Sequence, residues 1–335
     1  IAYASLTALI TKNTSERVQL GSFRFIFAFA TKIIIEAVTV HAVIWLGGGA
    51  SAWRTIAIIY AILGLITNTI SVFSVKELPE ADEGMEEERE EEHKLTFLKS
   101  FQLLLKNKYY VVICLTYIMT QLYASVIGIG TYYAKYILGD EGLFSELSLA
   151  INITMVVSLI ALPIVIQKMG GMYKLNMLGY LVAVAGRIGV VAAAYMGSFP
   201  MMLVFTAVGT LGIAPLQGDM NALIASCSEY TTLTTGHRLD GMMFSCSSLG
   251  IKIGGAFGTA ICGWLLDAAG YVENAATQTA GTVSMLQFLY LWAPIIICGV
   301  ILFLISRLKV EQANAQLLRV KNMTEDDVDT VYGNV

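Results

Sequence analysis

Apolar blocks of roughly 20 residues, set apart by short polar patches, recur from one end of this chain to the other. A helix rises about 1.5 Å per residue, so a block of this length makes a rod about 30 Å long, the thickness of a bilayer's hydrocarbon core. Inside that core no water satisfies the backbone, which leaves helices or a closed barrel. A barrel needs alternating segments of about 10 residues, and the sequence has none. The chain therefore reads as an all-α polytopic membrane protein. Composition agrees, with 56% hydrophobic and 14% charged residues, where a soluble domain carries roughly a quarter charged.

The blocks predict a partial span over 1–11 and spans near 23–45, 52–75, 109–136, 146–167, 174–197, 199–226, 239–267 and 285–306. Their connections alternate in charge. Lys12, Arg17 and Arg24 flank the first, and Lys76, Lys94, Lys99, Lys106 and Lys108 flank the long one. Lys168 with Lys174, His237 with Arg238, and Arg307 with Lys309 mark the others on that side. Apart from Arg54 and Lys135, the opposite connections are nearly free of base. The positive-inside rule then puts the basic loops and the carboxyl terminus in the cytoplasm of a plasma-membrane protein.

The first block begins at Ile1 without an initiator Met or charged leader and reads as the second half of a helix, so a fragment is expected, its earlier spans lying outside it. Three spans precede a polar interruption and six follow it, which suggests six plus six helices, the count of the major facilitator architecture. The expected division is a remainder of an amino-terminal bundle (1–78, helices 4–6), an acidic cytoplasmic loop (79–105), a carboxy-terminal six-helix bundle (106–309, helices 7–12) and a cytoplasmic tail (310–335). In the tail, Thr324-Glu325-Asp326-Asp327 reads as a helix start.

The formal charge of −4 is local in origin, because the loop holds the run Glu86-Glu87-Glu88-Arg89-Glu90-Glu91-Glu92. No nucleic-acid partner is implied. Five cysteines and three histidines are scattered without metal-ligand spacing, so neither a disulfide frame nor a metal site is expected. No nucleotide loop, HExxH or GxSxG occurs, which argues against an enzyme and for transport driven by a gradient.

Lys252 stands out. It lies about 13 residues, some 20 Å, from either end of an apolar stretch, near the membrane midplane. A cation there costs on the order of 3 kcal/mol and usually faces a watery cavity or a partner. Gly241, Ser245, Ser248, Lys252, Gly255 and Thr259 fall on one stripe, suited to a hydrated wall. The competing reading is close packing through Gly250-x-x-x-Gly254 and Gly254-x-x-x-Gly258. Arg24, Lys32 and Glu36 make a second cluster. Lys32 and Glu36 can pair along the helix or Glu36 can take a cation, and Arg24 can either reach the membrane surface or donate to a polyol. Gln217 and Asn221 share a face beside Asp219, open to sugar hydroxyls or to a neighbouring helix. Tyr117, Gln121, Tyr123 and Asn152 are further cavity candidates, and Arg187 calls for a carboxylate from another helix.

In order along the chain, Ser5-Leu6, Ile10-Thr11, Glu16-Arg17-x-x-Leu20, Arg24, Glu229-Tyr230 through Thr235-Gly236-His237-Arg238, Lys252-x-Gly254-Gly255-Ala256-Phe257 and Gly270-Tyr271 resemble the glycoside–pentoside–hexuronide:cation symporters. This is the melibiose-permease-like branch of the major facilitator superfamily. The resemblance implies twelve helices, of which this chain holds the end of helix 4 through helix 12. It implies symport of a glycoside, pentoside or hexuronide with Na⁺ or H⁺ by alternating access, by a monomeric unit without cofactor. Arg24 and Lys252 match positions at the sugar site and its coupling network; Arg17, Glu229 and Arg238 match cytoplasmic gate charges. The cation site is implied to lie on helices outside this chain. Adding Ser248, Gln217, Tyr3 and Gln121 completes the expected substrate set, and Lys32 with Glu36 the coupling pair. Ser226 stands where the family often has Asp, and Gln217 and Ala4 fall near positions that are aromatic in the melibiose carriers. A sugar other than a galactoside is thereby implied. The alternatives are a carrier of a non-sugar or amphiphilic solute, or a transport-dead sensor.

Overall fold

The computed structural model describes residues 14–74 except 48, and 97–320 except 141, 238, 274 and 276. Helix α1 (Thr14–Trp45) and α2 (Gly49–Ser74) are followed by the short α3 (Phe97–Lys106). Then come α4 (Lys108–Leu138), α5 (Gly142–Met169), α6 (Met172–Tyr195), α7 (Phe199–Thr235) and α8 (Asp240–Ala268). Helix α9 runs over Ala280–Gln287, a π turn at Phe288–Trp292 and Ala293–Arg307, and α10 is Val310–Val320. Among the described residues, seven helices are long and apolar enough to cross a membrane. Helix α1 covers the span expected over 23–45.

The apolar surface points outward as well as inward, as a bilayer solvent requires. Leu65, Trp264 and Val204 are more than half exposed, while Ile113, Leu159 and Ile224 are fully enclosed. On α2, Thr55, Thr67, Asn68, Thr69 and Ser74 donate to the carbonyl four residues back, so their polar atoms need no water.

Helix α7 is the hub, packing on α1, α4, α5, α6, α8 and α10. Glycines set the closest crossings. Gly179 and Gly186 of α6 lie against Gly212 and Gly209 of α7, and a Cβ on Gly186 would stand 2.6 Å from the Gly209 Cα. Gly250, Gly254 and Gly258 of α8 lie against Tyr117, Ile118 and Ser125 of α4. The α8 seam follows the small-xxx-small pattern. Helix α7 also extends beyond the expected end at 226. Thr231, Thr232, Thr234 and Thr235 back-bond to carbonyls four residues earlier, and Gly236 at φ 76° ends the helix.

Two polar segments read as loop and tail fold onto the bundle. Helix α3 occupies the end of the expected loop, with Leu104 buried, and the glutamate run lies outside the described residues. Asn107 after it accepts from Tyr109 and Tyr110 N–H groups and donates to the Cys227 carbonyl at 2.9 Å, pinning α4 to α7. In the expected tail the helix lies at α10, and Thr324 to Asp327 fall outside the described residues. Glu311 accepts from the Met172 and Tyr173 N–H groups at 3.2 and 2.9 Å, capping α6 from 139 residues away, and Asn314 donates to the Ser226 carbonyl at 2.8 Å. Removing a capping acceptor of this kind costs about 1–2 kcal/mol. Glu311→Ala is therefore expected to lower Tm by a few degrees in a thermal melt, and an unchanged melt would contradict the cap.

Candidate substrate site

Successive helical residues turn by about 100°, so Lys252 points away from both Gly250 and Gly254. The structure separates the two readings of α8 onto two faces. Gly250, Gly254 and Gly258 are buried against α4, while Lys252, Ala256 and Thr259 are exposed and Ser248 and Gly255 half-buried. Thr259 donates to the Gly255 carbonyl at 2.9 Å and Ser245 to Met242 at 2.6 Å, which keeps the open stripe satisfied within its own helix. Packing thus uses one face of α8 and leaves the Lys252 stripe open.

Across the glycine seam, α4 supplies Tyr117 at the level of Gly250 and Gln121 at the level of Gly254, where an added Cβ would meet the Gln121 Cβ at 2.8 Å. Tyr117 donates to Asn221 Oδ1 of α7 at 3.3 Å. The charge of half-buried Arg24, on α1, acts on that tyrosine. Gln217, half-buried, lies one turn before Asn221. Helix α1 reaches this place because Gly21 abuts the Gly218 carbonyl of α7. Helices α1, α4 and α7 thus bring the Arg24 guanidinium, the Tyr117 phenol and the Asn221 amide into one neighbourhood, and α8 carries the Lys252 ammonium on its other, open face. Such groups can donate to hydroxyls and neutralise a carboxylate.

Several sequence expectations change here. Asn221 serves the neighbouring helix. Asn152 is buried and bonds Ser148 on its own helix at 3.4 Å, so packing, not a cavity, explains it. Tyr123 accepts from Arg187, with the guanidinium carbon 5.2 Å from its ring, so a phenol takes the place of the expected carboxylate and Tyr123 leaves the cavity set. Lys32 is exposed, and the side chain of Glu36 lies outside the described residues, as do Tyr3, Arg238 and the side chain of Arg17. Glu229 is half-buried near the end of α7. Beside it, the sequence reading missed a pair: the Ser228 hydroxyl donates to buried Asp240, closing the α7–α8 turn. Asp240 in the first turn of α8 was the available signal.

Residues 1–312 match the model of the family described as MFS/sugar transport protein. The chain belongs to that family. Its curated relatives include the isoprimeverose transporter of Lactiplantibacillus pentosus, 25% identical over 95% of this chain and 65% of the relative. A putative sulfoquinovose importer of Escherichia coli is 24% identical over 87% and 61%. A putative glycoside/cation symporter of the same organism is 22% identical over 95% and 68%. This MFS/sugar transport protein chain thus spans about two thirds of the length of relatives it matches. As a multi-pass member of a transport family, it presents the α8 stripe, with Gln121 and the Arg24–Tyr117–Asn221 group, on the same helices that build the bundle.

Proposed function

We propose that the protein is a plasma-membrane symporter that carries a glycoside, pentoside or hexuronide with Na⁺ or H⁺ by alternating access, its carboxyl terminus in the cytoplasm. The observation that carries this reading is Lys252, exposed on the face of α8 opposite the glycine seam, with Gln121 on the adjoining helix and Arg24 near Tyr117. A cation on an apolar helix is retained where it meets water or an anionic partner. Arg24 and Lys252 favour a sugar that bears a carboxylate or sulfonate, because a bidentate guanidinium and an ammonium suit such groups. Relatives described as a sulfoquinovose importer and a glucuronide carrier homologue support that direction. Glu229, Arg17 and Arg238 are proposed to latch the basic-loop end of the two halves.

The test is counterflow of a radiolabelled panel of glycosides, pentosides and glucuronides in vesicles holding the full-length protein, under Na⁺ and H⁺ gradients. Exchange of at least one sugar, fastest for an acidic one, is expected. Exchange of none under any gradient would remove the reading.

A further inference from the structure

Asp219 of α7 is fully buried, and among the described residues its side-chain partner is Asn176 of α6, whose Nδ2 donates to Oδ2 at 2.6 Å. The two remaining oxygens, Asp219 Oδ1 and Asn176 Oδ1, are both enclosed and have no side-chain donor among the described residues. Both are acceptors. Turning the Asn176 amide over repairs nothing, since it would set an oxygen against Oδ2. What the pair lacks is one hydrogen. A proton on the carboxyl group supplies it: the carboxyl O–H donates to the amide oxygen while the amide N–H donates to the carboxyl carbonyl. The acid–amide pair is then closed, neutral and satisfied.

Beyond its own backbone N–H, the surroundings give an ionised carboxylate little among the described residues. On α6 the neighbouring titratable group is Tyr180, and on α4 it is Tyr117. The charge that acts on Asp219 among the described residues is that of Glu311 on α10, which is of like sign and itself sits near Lys174. Arg24 of α1 acts on Tyr117, α5 offers Leu159 and Leu162 at Gly218, and Lys252 lies on the exposed face of α8. A buried carboxylate with one side-chain hydrogen bond and a neighbouring anion is a costly species in an apolar bundle.

We infer that Asp219 is a proton-binding site, held as a neutral carboxylic acid that joins α7 to α6 through Asn176. Its partner Asn176 lies one turn inside the α6 terminus that Glu311 caps, next to the Gly179–Gly212 crossing. Losing the proton breaks one hydrogen bond of the pair and leaves a charge in the seam, so proton occupancy controls how tightly these two helices hold together. Occupancy needs no substrate; its use as a coupling ion rests on the transport reading above.

The test is infrared spectroscopy of the full chain in lipid nanodiscs at neutral pH. A carbonyl band of a protonated carboxylic acid is expected, shifting in D₂O, shifting on ¹³C-labelling of aspartate, absent in Asp219→Asn and displaced in Asn176→Leu. The aspartate label reads the wild-type protein, so the result stands even where a variant fails to fold. Folding would also take up one proton between the ordinary aspartate range and neutrality, so the folding constant should fall about tenfold per pH unit as pH rises there, a component missing from Asp219→Asn. A wild-type spectrum with no aspartate-derived acid band, or one that Asp219→Asn leaves unchanged, would overturn the proposal. Because no sugar is present, these outcomes are independent of whether the protein transports one.

Discussion

Lys252→Ala is expected to lower sugar counterflow about 10- to 100-fold while leaving Tm within about 2 °C. The two halves of this expectation have one source. Lys252 is exposed on α8, so removing it opens no cavity and strands no buried partner. A charged hydrogen bond to a sugar hydroxyl or carboxylate contributes about 1.5–3 kcal/mol, and each 1.4 kcal/mol is tenfold in binding. Counterflow in vesicles beside a thermal melt reads both numbers. Loss of flux together with loss of stability would place Lys252 in packing, and full flux would remove it from the site.

Gly212→Leu is expected to destabilise the protein by about 3 kcal/mol or more, or to abolish folded yield altogether. A Cβ at Gly212 would strike the Gly179 carbonyl and the Ala183 backbone, with the Ala183 Cα only 2.9 Å away. The obstacle is backbone on the facing helix, which cannot rotate aside as a side-chain tip would. Helix α6 would have to back away from α7 along the whole seam, taking Gly186 from Gly209 and Asn176 from Asp219. The control is Gly263→Ala on α8, where nothing lies within 4 Å of an added Cβ. That substitution is expected to be neutral or stabilising by about 0.5–1 kcal/mol, through helix propensity and a less mobile unfolded chain. Equal melts for both variants would contradict close packing at the α6–α7 seam.

The spanning helices were legible because a bilayer imposes length and apolarity on each segment separately. The block at 109–136 became Lys108–Leu138, and that at 239–267 became Asp240–Ala268. The two faces of α8 were legible for the same reason, since a period of about 3.6 residues sorts Gly250 and Gly254 from Lys252 without reference to any other helix. Long-range polar partners were not. Asn107 finds Cys227 120 residues on, and Glu311 finds Met172 139 residues back. Nothing local distinguishes either from a solvated loop residue. Helix ends beyond the apolar blocks were missed because threonines at 231–235 satisfy themselves by back-bonding, a device that hydropathy does not register. Arg187 looked like half of an ion pair because charge was weighed before the phenol of Tyr123, which also offers an acceptor and a ring face.

The central claim is that the open face of α8 recognises a sugar through its cation. Equilibrium binding of a methyl glucuronide and the matching methyl glucoside to the full-length protein, in wild type and Lys252→Gln, tests it most directly. The account predicts that the wild type prefers the glucuronide and that Lys252→Gln loses about tenfold or more of that preference. An undiminished preference in the variant would contradict it.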